Sequence, residues 1–538
     1  MLLRRTLLRP LGLGALALAS LGCERLVDVK LTLVEPCDQR DQALNGVQTF
    51  QVSVSGFEEE ATTRFTRDKG AQPLQARGAA EDAVVTVEAW EGDADSILTT
   101  PPKSIGRTMP LQIADDTRDM EINLTMGRVD GFGQTTAADG SCQALQNGAG
   151  VPGRHGHTAT FVPGLNKILI AGGAVFSLDP QSGQPGESLL KSAELFDPAT
   201  GTFEKLADMP NTRAYHTATA LPDGRVLLVG GFSIIGNALS TLTNGLIFDP
   251  SRPLDDPYDP VPVQFSQQRA LHTATLIDDE LLVIVGGCDG AGCRSSGVSN
   301  PGGPAGGDPT ALLYPIEVLD LSDIAAGGAP QLSDLLVEKR AMHAASTFEG
   351  GRMLISGGVN ASGPVCSLEI FEARDGALVA LQEPGVAALP ACPSRHTQVT
   401  IGRDRIAFIG GQTEAPGGTP QGEGSDQVVF WNTAVGVEAV GSTLLSGRYN
   451  HASALLKDGS ILVIGGKVPP GGATAERLKL DENNVYTSAT LQGPPLRGAR
   501  ERAAIAPIPQ SNQVFVSGGF VDVPALTTTE SAEIYYGE

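Results

Sequence analysis

Tryptophan is nearly absent, with 2 in 538 residues, and all aromatics together reach 5%. Surfaces that stack sugars or unpaired bases need exposed rings, so such platforms are scarce; Trp90 and Trp431 lie in strand-like runs and read as core. Positive charge is also short. Lys and Arg number 38 against 61 Asp and Glu, a net of −23, which repels phosphate backbones and anionic headgroups and excludes nucleic acid as a main partner. Charged residues are only 18% of the chain, and the Glu-, Lys-, Ala- and Leu-rich runs of long helices are missing. A Cys-x-x-Cys pair is lacking, which sets zinc ribbons aside. Triad spacings and phosphate-binding loops are lacking as well, so no catalytic residue, cofactor or metal is assigned. The acidic cluster Asp255, Asp256 and Asp259 lacks calcium-loop spacing and reads as a solvated hairpin.

What is present begins with Arg4, Arg5 and Arg9 before an apolar run from Leu11 to Leu21 that ends at Gly22-Cys23. A basic start, a short apolar core and a small residue before the cut predict a secretory signal peptide over residues 1–23, too short to span a bilayer. Ser20-Leu21-Gly22-Cys23 resembles the lipobox of bacterial lipoproteins, with Ser where Leu is usual. The resemblance implies acylation of Cys23, membrane attachment through lipid alone, and an outer-membrane or cell-surface position facing the periplasm or the exterior. Leu3 to Arg9 also resembles a twin-arginine signal, so the export route stays open. Seven cysteines less Cys23 leave six, the even number an oxidised, exported fold wants. Cys288 and Cys293 enclose a short Gly-rich loop, Cys366 and Cys392 bracket one repeat's outer strands, and Cys37 and Cys142 pair by elimination.

Self-similarity then organises the rest. An apolar run ending in Gly-Gly recurs seven times, at Gly172, Gly230, Gly286, Gly357, Gly410, Gly465 and Gly518, at intervals of 53–71 residues. His157, His216, His272, His343, His396 and His451 each stand 14 or 15 residues before a doublet; the seventh repeat has Ala503 there. A third segment follows each doublet, as in Ala193-Glu-Leu-Phe-Asp-Pro198, and ends in a turn such as Asp197-Pro-Ala-Thr-Gly201. Each repeat thus offers four strand-length segments, the second apolar throughout as a doubly buried strand requires.

Four antiparallel strands at this period predict a propeller blade. The doublets and flanking strands resemble kelch repeats, although the usual fourth-strand tryptophan is missing and Phe203 stands nearest to it. The resemblance implies an all-β fold: a seven-bladed kelch-type β-propeller over residues 140–538, closed by the segment Cys142-Gln-Ala-Leu145 as the missing fourth strand of the last blade. Residues 24–135 carry alternating strands around Val29, Val52, Val87 and Ile122 and predict a small antiparallel β-sandwich-like domain, a spacer between membrane and propeller.

Six histidines in a ring invite a metal site, but equivalent positions on successive blades are too far apart for one ion. They read as structural, bonding between blades together with the arginines three residues earlier. Galactose oxidase carries similar blades; its copper site needs a cysteine-linked tyrosine and a domain after the propeller, and neither is evident here. The expected function is therefore non-enzymatic: a scaffold offering a loop face to a protein partner, with binding of a glycan or other envelope polymer as the alternative. Long Gly- and Pro-rich insertions after three doublets, notably Cys288 to Pro309, mark one rim. Arg213, Arg269, Arg340 and Arg448 begin first strands beside that rim and are its candidate contacts, unless they only brace the blades.

Overall fold

The computed structural model describes residues 28–537 and the pair Ala17–Leu18, leaving aside 38–41, 57–60, 69–74, 77–79, 93–99, 114–118, 146–152, 179–184, 237, 260–262, 290–314, 325–328, 334–335, 361, 382–387, 414–423, 439–440, 471–473, 483–484, 499, 510 and 522–526. Cys23, Cys293 and most of the 288–309 insertion lie outside the described residues. The protein is all-β and propeller-like. Helix is confined, among the described residues, to Pro163–Leu165 and Leu321–Ile324, and no helix there is long and apolar enough to cross a membrane.

Each Gly-Gly repeat folds into its own antiparallel sheet. The first runs Thr158–Val162, Lys167–Ala171, Ala193–Asp197, Thr202–Lys205 from one edge to the other. Six more sheets follow the same order, so the described residues hold seven. The second strand of each is sealed on both faces by neighbouring sheets; Leu281–Val285, for example, is buried at every residue. Burying such a run stabilises by roughly 1.5–3 kcal/mol per large aliphatic side chain. The first strands touch one another in a closed cycle, the strand at Ala504–Pro507 contacting both Ala452–Leu455 and Thr158–Val162.

The doublets make that close contact possible. The first glycine of each has φ of 58–66° and the second 88–103°, left-handed values that side chains resist. A Cβ on the first would stand 2.1–2.7 Å from a backbone carbonyl of the next sheet, that of Arg213 in the case of Gly172. The second glycine donates its N–H to the same carbonyl, from Gly173 to Arg213 at 2.8 Å round to Gly519 to Arg154 at 2.7 Å.

Closure departs from the expectation. The fourth strand of the last sheet is Gly131–Gln134, paired with Ala532–Tyr536, whereas Cys142–Leu145 contributes isolated bridges, from Cys142 to Thr136 and from Ala144 to Ser531. Gly131 suits the place because a Cβ there would meet Pro494 at 2.6 Å. The N-terminal unit accordingly ends near residue 128, short of the expected 135. It has two layers: an antiparallel sheet including Thr49–Ser55, Ala61–Thr66, Ala80–Trp90 and Ser104–Arg107, and a pair, Asp28–Val34 with Asp119–Thr125, that is parallel rather than antiparallel. Leu31, Ile122 and Leu124 of the pair share one core with Phe50, Val52 and Val87 of the sheet. The unit also packs Ile105, Met109 and Val129 against Ile168, Phe515 and Tyr536.

Cys37–Cys142 and Cys366–Cys392 are disulfides, and Cys288 is also disulfide-bonded. Such bonds persist in an oxidising, extracytoplasmic compartment.

Candidate functional site

The repeat arginines do not open onto the rim. Arg213, Arg269, Arg340 and Arg448 are all buried, as are Arg154 and Arg500. Arg269 donates to the carbonyl of Gly286 at 3.0 Å and to Glu317 of its own sheet at 2.5 Å. Glu317 also accepts the backbone N–H and hydroxyl of Ser266, so both carboxylate oxygens and both terminal guanidinium nitrogens are engaged while Arg269 Nε is left over. Arg154–Glu194, Arg340–Glu369, Arg448–Glu476 and Arg500–Glu533 repeat the arrangement. Arg213 differs: Asn244 stands in for the carboxylate at 3.0 Å, and burial pulls its pKa down to about 10. The rim assignment is thereby corrected, because a first-strand start looks open in sequence while its neighbouring sheet covers it.

The repeat histidines are buried too, and each bonds a hydroxyl of the preceding sheet. His216 Nε2 is 3.1 Å from Thr158 Oγ1, His272 3.0 Å from Thr217, His343 2.9 Å from Thr273 and His451 2.9 Å from Thr397. His157 and His396 use Ser517 and Ser356 at 2.9 and 2.8 Å. Burial, with nearby arginines adding to it, holds them neutral, His396 at about 3 and the others well below the ordinary value. Among the described residues no three His, Cys, Asp or Glu side chains gather to hold an ion.

The residue before each repeat histidine was not singled out by sequence reasoning, and it builds the site. Gly156, Tyr215, Leu271, Met342, Arg395, Asn450 and Arg502 all have φ of 53–60°. Each donates its N–H to the carbonyl of the one before it, Tyr215 to Gly156, Leu271 to Tyr215 and so on until Gly156 donates to Arg502, at 2.8–3.3 Å. Seven backbone bonds close a collar around the axis. With its carbonyls engaged by the neighbouring N–H groups, the collar is no cation filter; it is a frame on which seven residues of six types line the mouth of a cavity of about 330 Å³ floored by the repeat histidines.

One arc of the mouth is apolar, Leu271 and Met342, and the facing arc is polar, Arg395, Asn450 and Arg502. Arg395 donates to Gln412 at 2.8 Å, and Asn450 to Glu501 at 2.9 Å. Arg502 lies over the Tyr215 ring at 5.1 Å and donates to its hydroxyl, leaving the phenol hydrogen for His155 Nδ1 at 3.1 Å. His155, the one histidine outside the repeat position, stacks on Phe176 at 4.6 Å. Burial, with Arg502 adding to it, pushes its pKa down to about 3, so it serves as a neutral acceptor here.

The segments after the doublets bridge to those before the histidines, as Ala174 does with His155 and Phe232 with Ala214. They surround the mouth with hairpins, and the Phe232–Ile235 hairpin leaves Ile234 and Ile235 47% and 51% exposed. The N-terminal unit sits against the other strand ends, where Gln513 begins a second strand and Tyr536 ends a third. The mouth therefore faces away from it.

No family model and no curated protein matches the chain in sequence. Among solved structures, one titled "Structure of YjhT" is similar at 13% identity, covering 63% of this chain and 98% of that chain with a TM-score of 0.45, a likeness too slight to inform the site.

Proposed function

We propose that this chain is an exported, lipid-anchored, non-enzymatic scaffold whose seven-bladed kelch-type propeller offers its axial mouth and surrounding hairpins to a protein partner. The collar carries this reading. Six side-chain-bearing residues occupy a left-handed conformation that costs about 1–2 kcal/mol each, yet they are of five different types, with only arginine used twice. Strain kept for varied side chains points to what those side chains meet, not to the frame. The buried histidines and arginines support the non-enzymatic reading, since their hydrogen-bonding groups serve the sheets.

A protein partner suits the mouth better than a glycan. The rings nearest the axis are already covered, Phe176 by His155 and Tyr215 by Arg502, whereas apolar Leu271, Met342, Ile234 and Ile235 stand beside two arginines, a mixture typical of protein interfaces. Anchoring at Cys23, with the N-terminal unit as spacer, directs the mouth away from the membrane.

The test compares the intact chain with a Leu271→Ser/Arg395→Ser variant in cross-linking to envelope extract and on a glycan array. A cross-linked partner lost with the variant is the expected result; undiminished capture, or binding to glycans alone, sinks the proposal. Cys23→Ser should move the protein from the membrane to the soluble fraction, and a variant that still sediments with membranes removes the anchor from the reading.

A further inference from the structure

A second cavity, of about 310 Å³, lies between the N-terminal unit and the propeller, on the side opposite the mouth. Met109, Leu111, Ile122, Leu124, Ile534 and Tyr536 give it apolar walls, and Arg107 joins the lining. Arg107 pairs with Thr86 through its backbone, while its half-buried side chain makes no hydrogen bond or ion pair among the described residues. Burial lowers its pKa, with Glu88 only partly offsetting the effect. A partly desolvated guanidinium whose countercharge compensates it only in part favours an added anion, whereas the fully buried arginines here already have carboxylates or carbonyls. Glu121, the acid of the lining, is exposed.

We infer that this cleft binds an amphipathic monocarboxylate, with its apolar tail among Met109, Leu124 and Ile534 and its carboxylate on Arg107. The volume sets the tail. At about the 30 Å³ that a water molecule occupies in the liquid, the cavity takes roughly ten carbon-sized groups. The match is one of charge and shape: a single cation in a mostly apolar cavity selects a single anionic head on an alkyl chain. Because the cleft and the mouth lie on opposite sides, this site neither needs nor excludes a partner at the mouth.

Calorimetric titration of the full chain with hexanoate, octanoate, decanoate and decanol tests it. Affinity is expected to rise about fourfold per added methylene up to decanoate, with decanol at least tenfold weaker. Arg107→Gln should bind decanoate and decanol alike without a lower melting temperature, since the arginine supports nothing else. Ala199→Trp, at an exposed turn lining the cleft, should abolish both while leaving the mouth intact. No decanoate binding at millimolar concentration, a preference for carboxylate retained in Arg107→Gln, or full binding in Ala199→Trp would each overturn the inference.

Discussion

His396 Nε2 lies 2.8 Å from Ser356 Oγ, at the end of the preceding sheet's second strand. Ser356 is the cross-strand partner of Ala344, the position that in other sheets holds the threonine to which the next histidine bonds. Read around the ring, these pairs are Thr158 with Ala171, Thr217 with Val229, Thr273 with Val285, Ala344 with Ser356, Thr397 with Ile409 and Ala504 with Ser517. One hydroxyl is present in each, on one strand or the other. In the sixth sheet Ala452 faces Ile464 and there is none; the repeat that follows has Ala503 instead of histidine. The histidine and its hydroxyl partner are thus absent together.

Ser356→Ala should leave the His396 ring unsatisfied and cost about 1–3 kcal/mol in urea unfolding. Adding His396→Ala should recover part of that loss, reproducing the arrangement at Ile464 and Ala503. In the other direction, Ala503→His alone should destabilise, and Ala452→Thr should rescue it. Strictly additive effects in both double-mutant cycles would refute the coupling.

One sheet loses the arginine and the glutamate together. In the fifth sheet Pro393 replaces the arginine and Val429 the glutamate, so neither charge is left buried alone. Arg269→Met should then cost about 3–5 kcal/mol by stranding Glu317, and Arg269→Met/Glu317→Leu should regain more than half. A double variant as unstable as the single one would mean that the arginine contributes through packing rather than charge.

How much of this was legible in sequence follows from which positions are fixed by backbone geometry. The doublets announce themselves because only glycine tolerates both their φ values and the neighbouring carbonyl, and the histidines because each needs the same hydroxyl. Closure was misplaced because Gly131-Phe-Gly-Gln134 has no apolar run and finds its partner about 400 residues away, at Ala532–Tyr536. The arginines were misassigned because their glutamates lie on another strand, 28–48 residues off. The collar was missed because it varies. Between an arginine kept in six repeats and a histidine kept in six, that variation was itself the available signal.

The neutral histidines set an acid limit. Their folded pKa values lie below 6.5, so the stability they contribute is fully present above the unfolded value and is lost as pH falls from about 6.5 toward the folded values, about 3 for His155 and His396. Each adds a slope of about 1.4 kcal/mol per pH unit in that window. Urea midpoints should drop steeply between pH 6.5 and 5, before the carboxylates titrate. His451→Gln should show a shallower drop by about one histidine's share, and an unchanged slope would contradict neutrality at that position.

The collar separates strain from packing. At Met342, φ of 54° is a conformation glycine adopts freely and methionine does not. Met342→Gly removes a half-buried side chain, which in a strand would lower stability through both lost contact and added freedom. Here the relief of about 1–2 kcal/mol of backbone strain opposes an unfolded-state penalty of about 0.5–1 kcal/mol. The melting temperature should therefore hold or rise, while Leu354→Ala in the adjoining buried strand should lose about 2–5 kcal/mol. If Met342→Gly instead melted as early as Leu354→Ala, the side chain would be part of the frame, and the mouth's variety would be packing rather than recognition.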